Sequence, residues 1–175
     1  MNEKFEKIFD QIEIERKTLL RKVSLLNEGE FNSKPADGKW SVAEILTHLL
    51  TSERLSLLYM RKKYKGVDQV GNSGLVEYLK MTFLKFSQRV AFFKYKAPKV
   101  IRENTPDTMT YSNLVAAWDK SRLDLKKFLE SIPAENVRKK IYKHPIVGRL
   151  DAAQGVEFLS EHFRHHLPQI NRLIH

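Results

Sequence analysis

No cysteine occurs among the 175 residues, which removes disulfides, thiolate metal ligands and cysteine nucleophiles together. Any metal this chain holds must therefore sit on nitrogen and oxygen. No charge-free apolar run reaches the roughly 18 residues that a membrane-spanning helix needs, so no membrane partner is expected. The opening Met1-Asn2-Glu3-Lys4-Phe5-Glu6-Lys7 mixes charges where a signal peptide would carry its apolar core, and cytoplasmic location is the expectation. An H-E-x-x-H motif is missing: between the histidines of His162-Phe163-Arg164-His165-His166, Phe163 stands where a zincin-type peptidase needs its glutamate. Neither a glycine-rich phosphate loop nor a serine elbow occurs, and there is no internal repeat or low-complexity tract.

What remains is ordinary globular material, with 42% hydrophobic and 10% aromatic residues, expected to form one domain over residues 1–175. Its charge is lopsided. Thirty-one Lys and Arg against 21 Asp and Glu leave a net +10, a field that attracts anions and that could draw an anionic small substrate. The basic residues gather at Arg61-Lys62-Lys63-Tyr64-Lys65, Lys94-Tyr95-Lys96-Ala97-Pro98-Lys99 and Arg138-Lys139-Lys140-Ile141-Tyr142-Lys143. The first two fall where helices should end, where cations complement the helix dipole. Solvated surface is favoured over nucleic-acid contact, because no recognised nucleic-acid-binding motif accompanies the clusters.

Helical periodicity dominates. Phe5, Ile8, Phe9, Ile12, Leu19, Leu20, Val23 and Leu26 mark a first helix over about 2–27, and a connection from Asn27 to Lys39 follows, long enough to cover something. Ser41 and Glu44 form a capping box that starts a second helix, with Trp40 placed to staple against Ile45. A loop holding Gly66, Gly71 and Gly74 leads to a third helix over roughly 74–96, whose Leu75, Tyr78, Leu79, Phe83, Phe86, Val90 and Phe93 read as a core-packing stripe. Residues 98–109 read as loop. A fourth helix over about 112–132 is ended by Pro133, and 133–150 is again loop-like. Asp151, with Gln154, caps a last helix that carries Pro168 inside it, where a kink is expected.

The last helix holds three of the six histidines within five positions. At about 100° per residue His162 and His166 lie roughly 40° apart and one turn apart, so both imidazoles can face one ion; His162 with His165 is less well aligned. A third ligand must come from elsewhere, and His48 qualifies because it sits on the inward stripe of the second helix. A single histidine there is more often a hydrogen-bonded core residue, and i, i+4 histidines also arise by chance. Three imidazoles buried in an apolar bundle would be costly without an ion or full hydrogen bonding, which favours metal. His165 could carry protons at the rim or lie exposed; His144 could close over the site or shape the turn before Pro145. Glu157 and Glu161 could orient a ligand ring or be solvated charges, Glu44 could do so or only cap, Gln169 could contact a neighbouring helix, and His175 is expected to fray.

Trp40-Ser41-x-x-Glu44-x-x-x-His48-Leu49, then His144-Pro145-x-x-Gly148-x-Leu150, then His162-x-x-His165-His166-Leu167-x-Gln169-Ile170 occur in that order. On these three motifs the chain resembles the DinB-like superfamily of metal-dependent proteins. The resemblance implies an all-α four-helix bundle of the DinB/YfiT kind with long inter-helix loops, and assigns the metal ligands to His48, His162 and His166. One divalent ion is expected, Zn or Ni ahead of Fe or Mn, since imidazole suits all of them. Three protein ligands leave positions open for water or substrate. Family members that act as thiol-dependent transferases make a low-molecular-weight thiol a second expected cofactor. The expected function is a metal-dependent transferase or small-substrate hydrolase, with His165 as the catalytic candidate and a homodimer as the implied assembly. The rivals are a non-catalytic metal- or ligand-binding stress protein and a basic nucleic-acid-binding module.

Overall fold

Capping residues legible in the chain set where the long helices begin. Ser41 Oγ accepts from Glu44 N at 3.1 Å while Ser41 N donates to the Glu44 carboxylate at 2.8 Å, launching α3 (Val42–Tyr64). Asp151 and Gln154 exchange the same pair of bonds at 2.8 and 3.0 Å and launch α7 (Ala152–Asn171). These two helices, with α1 (Glu3–Val23) and α6 (Tyr111–Glu130, capped by Thr110), form the bundle: α3 packs on α6 and α7, and α1 packs on α7 and α6. The computed structural model describes residues 2–89, 99–105 and 109–174, and within them the chain is all-α apart from one small hairpin.

The core falls into two apolar clusters. Phe5, Phe9, Ile12, Leu57, Leu125, Val156 and Leu159 belong to one; Leu19, Leu46, Leu49, Leu114, Trp118, Phe163 and Ile170 belong to the other. Along each long helix a polar side chain sits between its contributions to the two: Arg16 on α1, Glu53 on α3, Arg122 on α6 and His162 on α7. Glu53 accepts from Trp118 Nε1 at 3.1 Å and from Ser121 Oγ at 2.8 Å, and pairs with Arg122 Nε at 3.0 Å. Burial lowers the pKa of Arg122, an effect opposed by the Glu53 and Glu13 carboxylates. Arg16, also buried, is held by Glu13 and Asp119. A desolvated ion pair adds little net stability, but removing one partner would strand the other charge.

The structure departs from the sequence expectations in the connections. The stretch after α1 contains α2 (Glu28–Asn32), started by a capping box of Asn27 and Glu30 whose two bonds are both 2.9 Å and anchored by the buried Phe31. Residues 98–109, read as loop, hold α5 (Lys99–Asn104). The stretch 133–150 contains a 3-10 turn at Ala134–Asn136 and an antiparallel hairpin of β1 (Tyr142–His144) and β2 (Gly148–Leu150), with Gly148 at φ +78°. Such short elements carry too few residues for a periodic signal.

The hairpin reaches α7 because Gly155 has no side chain: a Cβ there would lie 2.8 Å from Cγ of Tyr142. Tyr142 in turn stacks on Phe158, ring centroids 6.0 Å apart. Pro168 is exposed inside α7, which runs on to Asn171.

The largest correction concerns α4 (Leu75–Arg89). Its Leu75, Tyr78, Leu79, Phe83 and Phe86, expected in the core, are exposed, while Glu77, Met81, Leu84 and Ser87 are buried where α4 packs on α7. Periodicity tells which residues share a face, not which face meets the bundle. Val90, Phe93, Pro98, the side chains of the 94–99 cluster and His175 lie outside the described residues.

Candidate metal centre

The packing of α3 along α7 brings His48 against His162 and His166. Their ring centroids form a nearly equilateral triangle, 5.0 Å for His48 to His162, 5.3 Å for His48 to His166 and 5.0 Å for His162 to His166. Every pair meets edge-on, at 84°, 69° and 70°, the arrangement that lets three rings aim nitrogens at one point. Nε2 of His48 lies 3.2 Å from Nε2 of His162, and one donor atom from each of the three falls within 4.8 Å of the others. An ion bound by nitrogens at about 2.0–2.1 Å in tetrahedral geometry separates them by roughly 3.3 Å, which the closest pair already matches. Among the described residues no aspartate or glutamate joins the group.

The electrostatics suit a cation. Burial, and then the neighbouring His166, pushes His48 down to about 4; His166 is pushed to about 4 by burial against an opposing hydrogen bond from Gln169; and burial and its neighbours hold His162 well below the usual histidine value. All three are therefore neutral at pH 7, with lone pairs available. A metal-free cluster can satisfy the facing His48 and His162 nitrogens with one N–H···N bond, but the third ring points at the same place. The residues present fit a divalent ion.

Neighbouring groups fix the rings. Trp40 lies 5.0 Å from the His48 ring and stacks on His166 at 6.3 Å and 19°; Phe158 stacks under His162 at 5.4 Å and 10°. Gln169, whose role the third motif left open, places its amide oxygen 3.0 Å from Nδ1 of His166. That nitrogen then carries the proton and donates, leaving Nε2 of His166 as the free donor to an ion. The signal was present as His166-x-x-Gln169, one helical turn apart. Replacing Gln169 by leucine is expected to weaken Zn²⁺ or Ni²⁺ binding by about 10- to 100-fold, and Gln169→Glu, which keeps an acceptor, to restore most of it, as read by competition with a chromophoric chelator.

The remaining candidates separate. His165 is half-buried at the edge, its ring 5.2 Å from His166 but not part of the converging group. His144 shapes the hairpin turn: its Nδ1 accepts from Ile146 N at 3.2 Å and Val147 N at 3.4 Å, and its ring meets Phe158 at 4.5 Å. Glu157 pairs with Lys85 at 3.2 Å, and Glu161 with Arg164 at 3.1 Å, while Arg164 ties α7 to Glu15 of α1 at 2.6 Å. Glu44 caps α3 and pairs with Lys34 at 2.7 Å. Behind His162 the Glu53 and Arg122 pair borders a cavity of about 10 Å³, room for roughly one water. Sequence reasoning missed that pair, although Glu53 falls on the inward register between Leu49 and Leu57.

The third basic cluster is largely occupied within the chain, as is Arg61 of the first. Arg138 donates to Ser73 O at 2.6 Å, Lys139 to Val70 O at 3.0 Å, Lys140 lies 3.6 Å from Glu77, and Arg61 donates to Asp124 O at 2.9 Å. No helix among the described residues is long and apolar enough to cross a membrane.

The uncharacterised protein YuaE of Bacillus subtilis (strain 168) is 23% identical over 148 residues, covering 85% of each chain. No solved structure matches the chain significantly. The model of the DinB superfamily matches residues 11–170, a span that takes in α3, α6, most of α1 and α7 and the three converging histidines, and the chain belongs to that superfamily.

Proposed function

We propose that this protein is a metal-dependent enzyme that holds one divalent ion, Zn or Ni ahead of Fe or Mn, through His48, His162 and His166. It acts as a thiol-dependent transferase or as a hydrolase on a small substrate. The observation that carries the reading is a set of three neutral imidazoles, and no fourth protein ligand among the described residues, meeting in one place. Structural sites are usually closed by four protein ligands, whereas three leave room for a reactant. When bound, the ion would lower the pKa of a water or thiol brought to it.

The chain's own residues supply the rest. Trp40 and Phe158 hold the rings and keep the ligand side apolar, Gln169 sets the proton on His166, and His165 at the rim is the group available to carry a proton to or from a reactant. The net positive charge would favour an anionic substrate or a thiolate. The cytoplasm, where such thiols are kept reduced, is the proposed location.

The test is turnover of the Zn- and Ni-loaded protein with a panel of low-molecular-weight thiols and electrophiles, and with small ester and amide substrates, with and without chelator. Chelator-sensitive turnover that falls in His165→Asn at unchanged metal content is expected. Fully loaded protein inert across the whole panel would favour the non-catalytic metal-binding reading instead.

A further inference from the structure

Three helices meet around the cavity behind His162. Its polar lining is Glu53 of α3, Trp118 and Arg122 of α6 and His162 of α7, the rest of the wall is apolar, and its volume of about 10 Å³ leaves room for roughly one water. Arg122 is 5% exposed, and its Nη1 has no hydrogen-bond partner among the described residues, although its Nε lies 3.0 Å from the Glu53 carboxylate. A buried guanidinium N–H without an acceptor is costly. The Glu53 oxygens accept from Trp118 and Ser121, and two lone pairs on each oxygen leave capacity for a further donor. On the opposite wall, His162 presents Nε2 to Nε2 of His48 at 3.2 Å, so Nδ1 is the nitrogen left for a partner away from the ion. For His166 that second nitrogen is served by Gln169. For His162 the acid across the cavity is Glu53.

We propose that Glu53 is a positioning residue for His162, acting through one water held in this cavity. The water accepts the Nδ1–H of His162 and the orphaned N–H of Arg122 and donates to the Glu53 carboxylate, which gives it about three polar partners, the number usual for buried water. Nδ1 then keeps the proton, and Nε2 keeps a lone pair aimed at the ion. A carboxylate behind the ring also makes the imidazole a stronger ligand. Glu13, the other acid near Arg122, lies 3.8 Å from its Nε and does not line the cavity. An anion is not the occupant: Glu53 already matches Arg122, and Glu13 and Asp119 hold Arg16, so the cluster has no surplus positive charge. The inference rests on the metal-centre reading, and for the metal-free chain it makes a separate statement: His162 accepts, at Nε2, the N–H of His48.

Long-range proton–nitrogen NMR on isotopically labelled full chain, in chelator at neutral pH, reads the His162 tautomer, and water-selective cross-relaxation reads whether its Hδ1 touches a long-lived water. His162 protonated at Nδ1 with a water contact, and His48 protonated at Nε2, are expected. Combining Glu53→Gln with Arg122→Met removes both charges at similar volume, so neither is stranded in the interior, and the glutamine keeps an acceptor for Trp118. That double variant should keep its helical circular-dichroism spectrum, lose the single His162 tautomer and bind Zn²⁺ at least about 10-fold more weakly in competition with a chromophoric chelator. An ion pair that only braces the helices would move neither the tautomer nor the affinity. Should the double variant fail to fold, the wild-type spectra decide alone. Wild-type His162 protonated at Nε2, an Hδ1 without water contact, or a folded double variant with wild-type Zn²⁺ affinity overturns the inference and leaves the three-histidine centre in place. Wild-type chain that takes up no Zn²⁺ instead removes the centre, and the inference with it.

Discussion

Replacing His162 by alanine is expected to lower affinity for Zn²⁺ or Ni²⁺ by well over 100-fold, more than the loss of an orienting partner costs. His162 is the ring that faces His48 at 3.2 Å and shares α7 with His166, so its removal leaves two imidazoles on different helices. The same variant should lose metal-dependent stabilisation. Wild-type chain in ion at about 1,000 times its dissociation constant gains roughly 4 kcal/mol, whereas the variant at the same ion concentration should gain no more than about 1.4 kcal/mol. His165→Ala, altering a ring outside the converging group, should keep both properties. Elemental analysis after gel filtration and thermal melts with each ion read the result. Unchanged stoichiometric metal in His162→Ala would remove the ground for a three-histidine centre.

The metal-free chain should lose stability steeply as the pH falls from about 6.5 toward 4. His48, His144 and His166 sit at about 4 in the folded state, burial being the first cause in each, and burial also holds His162 well below the ordinary histidine value. In the unfolded chain each returns to about 6.5. Above that value all are neutral in both states and their stability contribution is complete. Between 6.5 and 4 the unfolded chain binds protons that the folded chain refuses, so unfolding becomes easier with every proton taken up. At about 1.4 kcal/mol per unit the ceiling is roughly 3 kcal/mol for each of His48, His144 and His166, and together they rival the 5–15 kcal/mol that holds a typical domain.

Carboxylates act lower. Burial alone would raise Glu44 and Glu77, but hydrogen bonds and lysine partners outweigh it and hold both below 4.5; their contribution is present above that value and fades only beneath it. Urea titrations in chelator at pH 7.5, 6.0 and 5.0 should show the midpoint falling with a slope of more than one proton. A flat midpoint across this window would mean that the imidazoles are solvated and not enclosed.

The long helices were legible because their inward residues repeat over five or more turns and their caps are local. Ser41 with Glu44 and Asp151 with Gln154 form their boxes from residues three apart, whatever the rest of the chain does. His162 and His166 were legible as a pair for the same reason. The role of Gln169 stayed open although it lies on the same helix, since side-chain direction and not spacing alone decides whether it reaches His166. The Glu53 and Arg122 pair was hidden because each looks like a surface charge until α3 and α6 are set side by side. On α4 the pattern held two apolar faces, and the larger was taken for the inner one.

By itself, then, the chain's order of residues determined an all-α bundle, the starts of its principal helices, the lack of sulfur ligands and a two-histidine face on the last helix, all consequences of backbone periodicity and short-range hydrogen bonds. Tertiary packing alone decided that His48 joins that face, that Trp40 stacks against its rings, and which side of α4 stays outside. Those outcomes depend on contacts between residues far apart in the chain, whose geometry exists only once the helices have been pressed together.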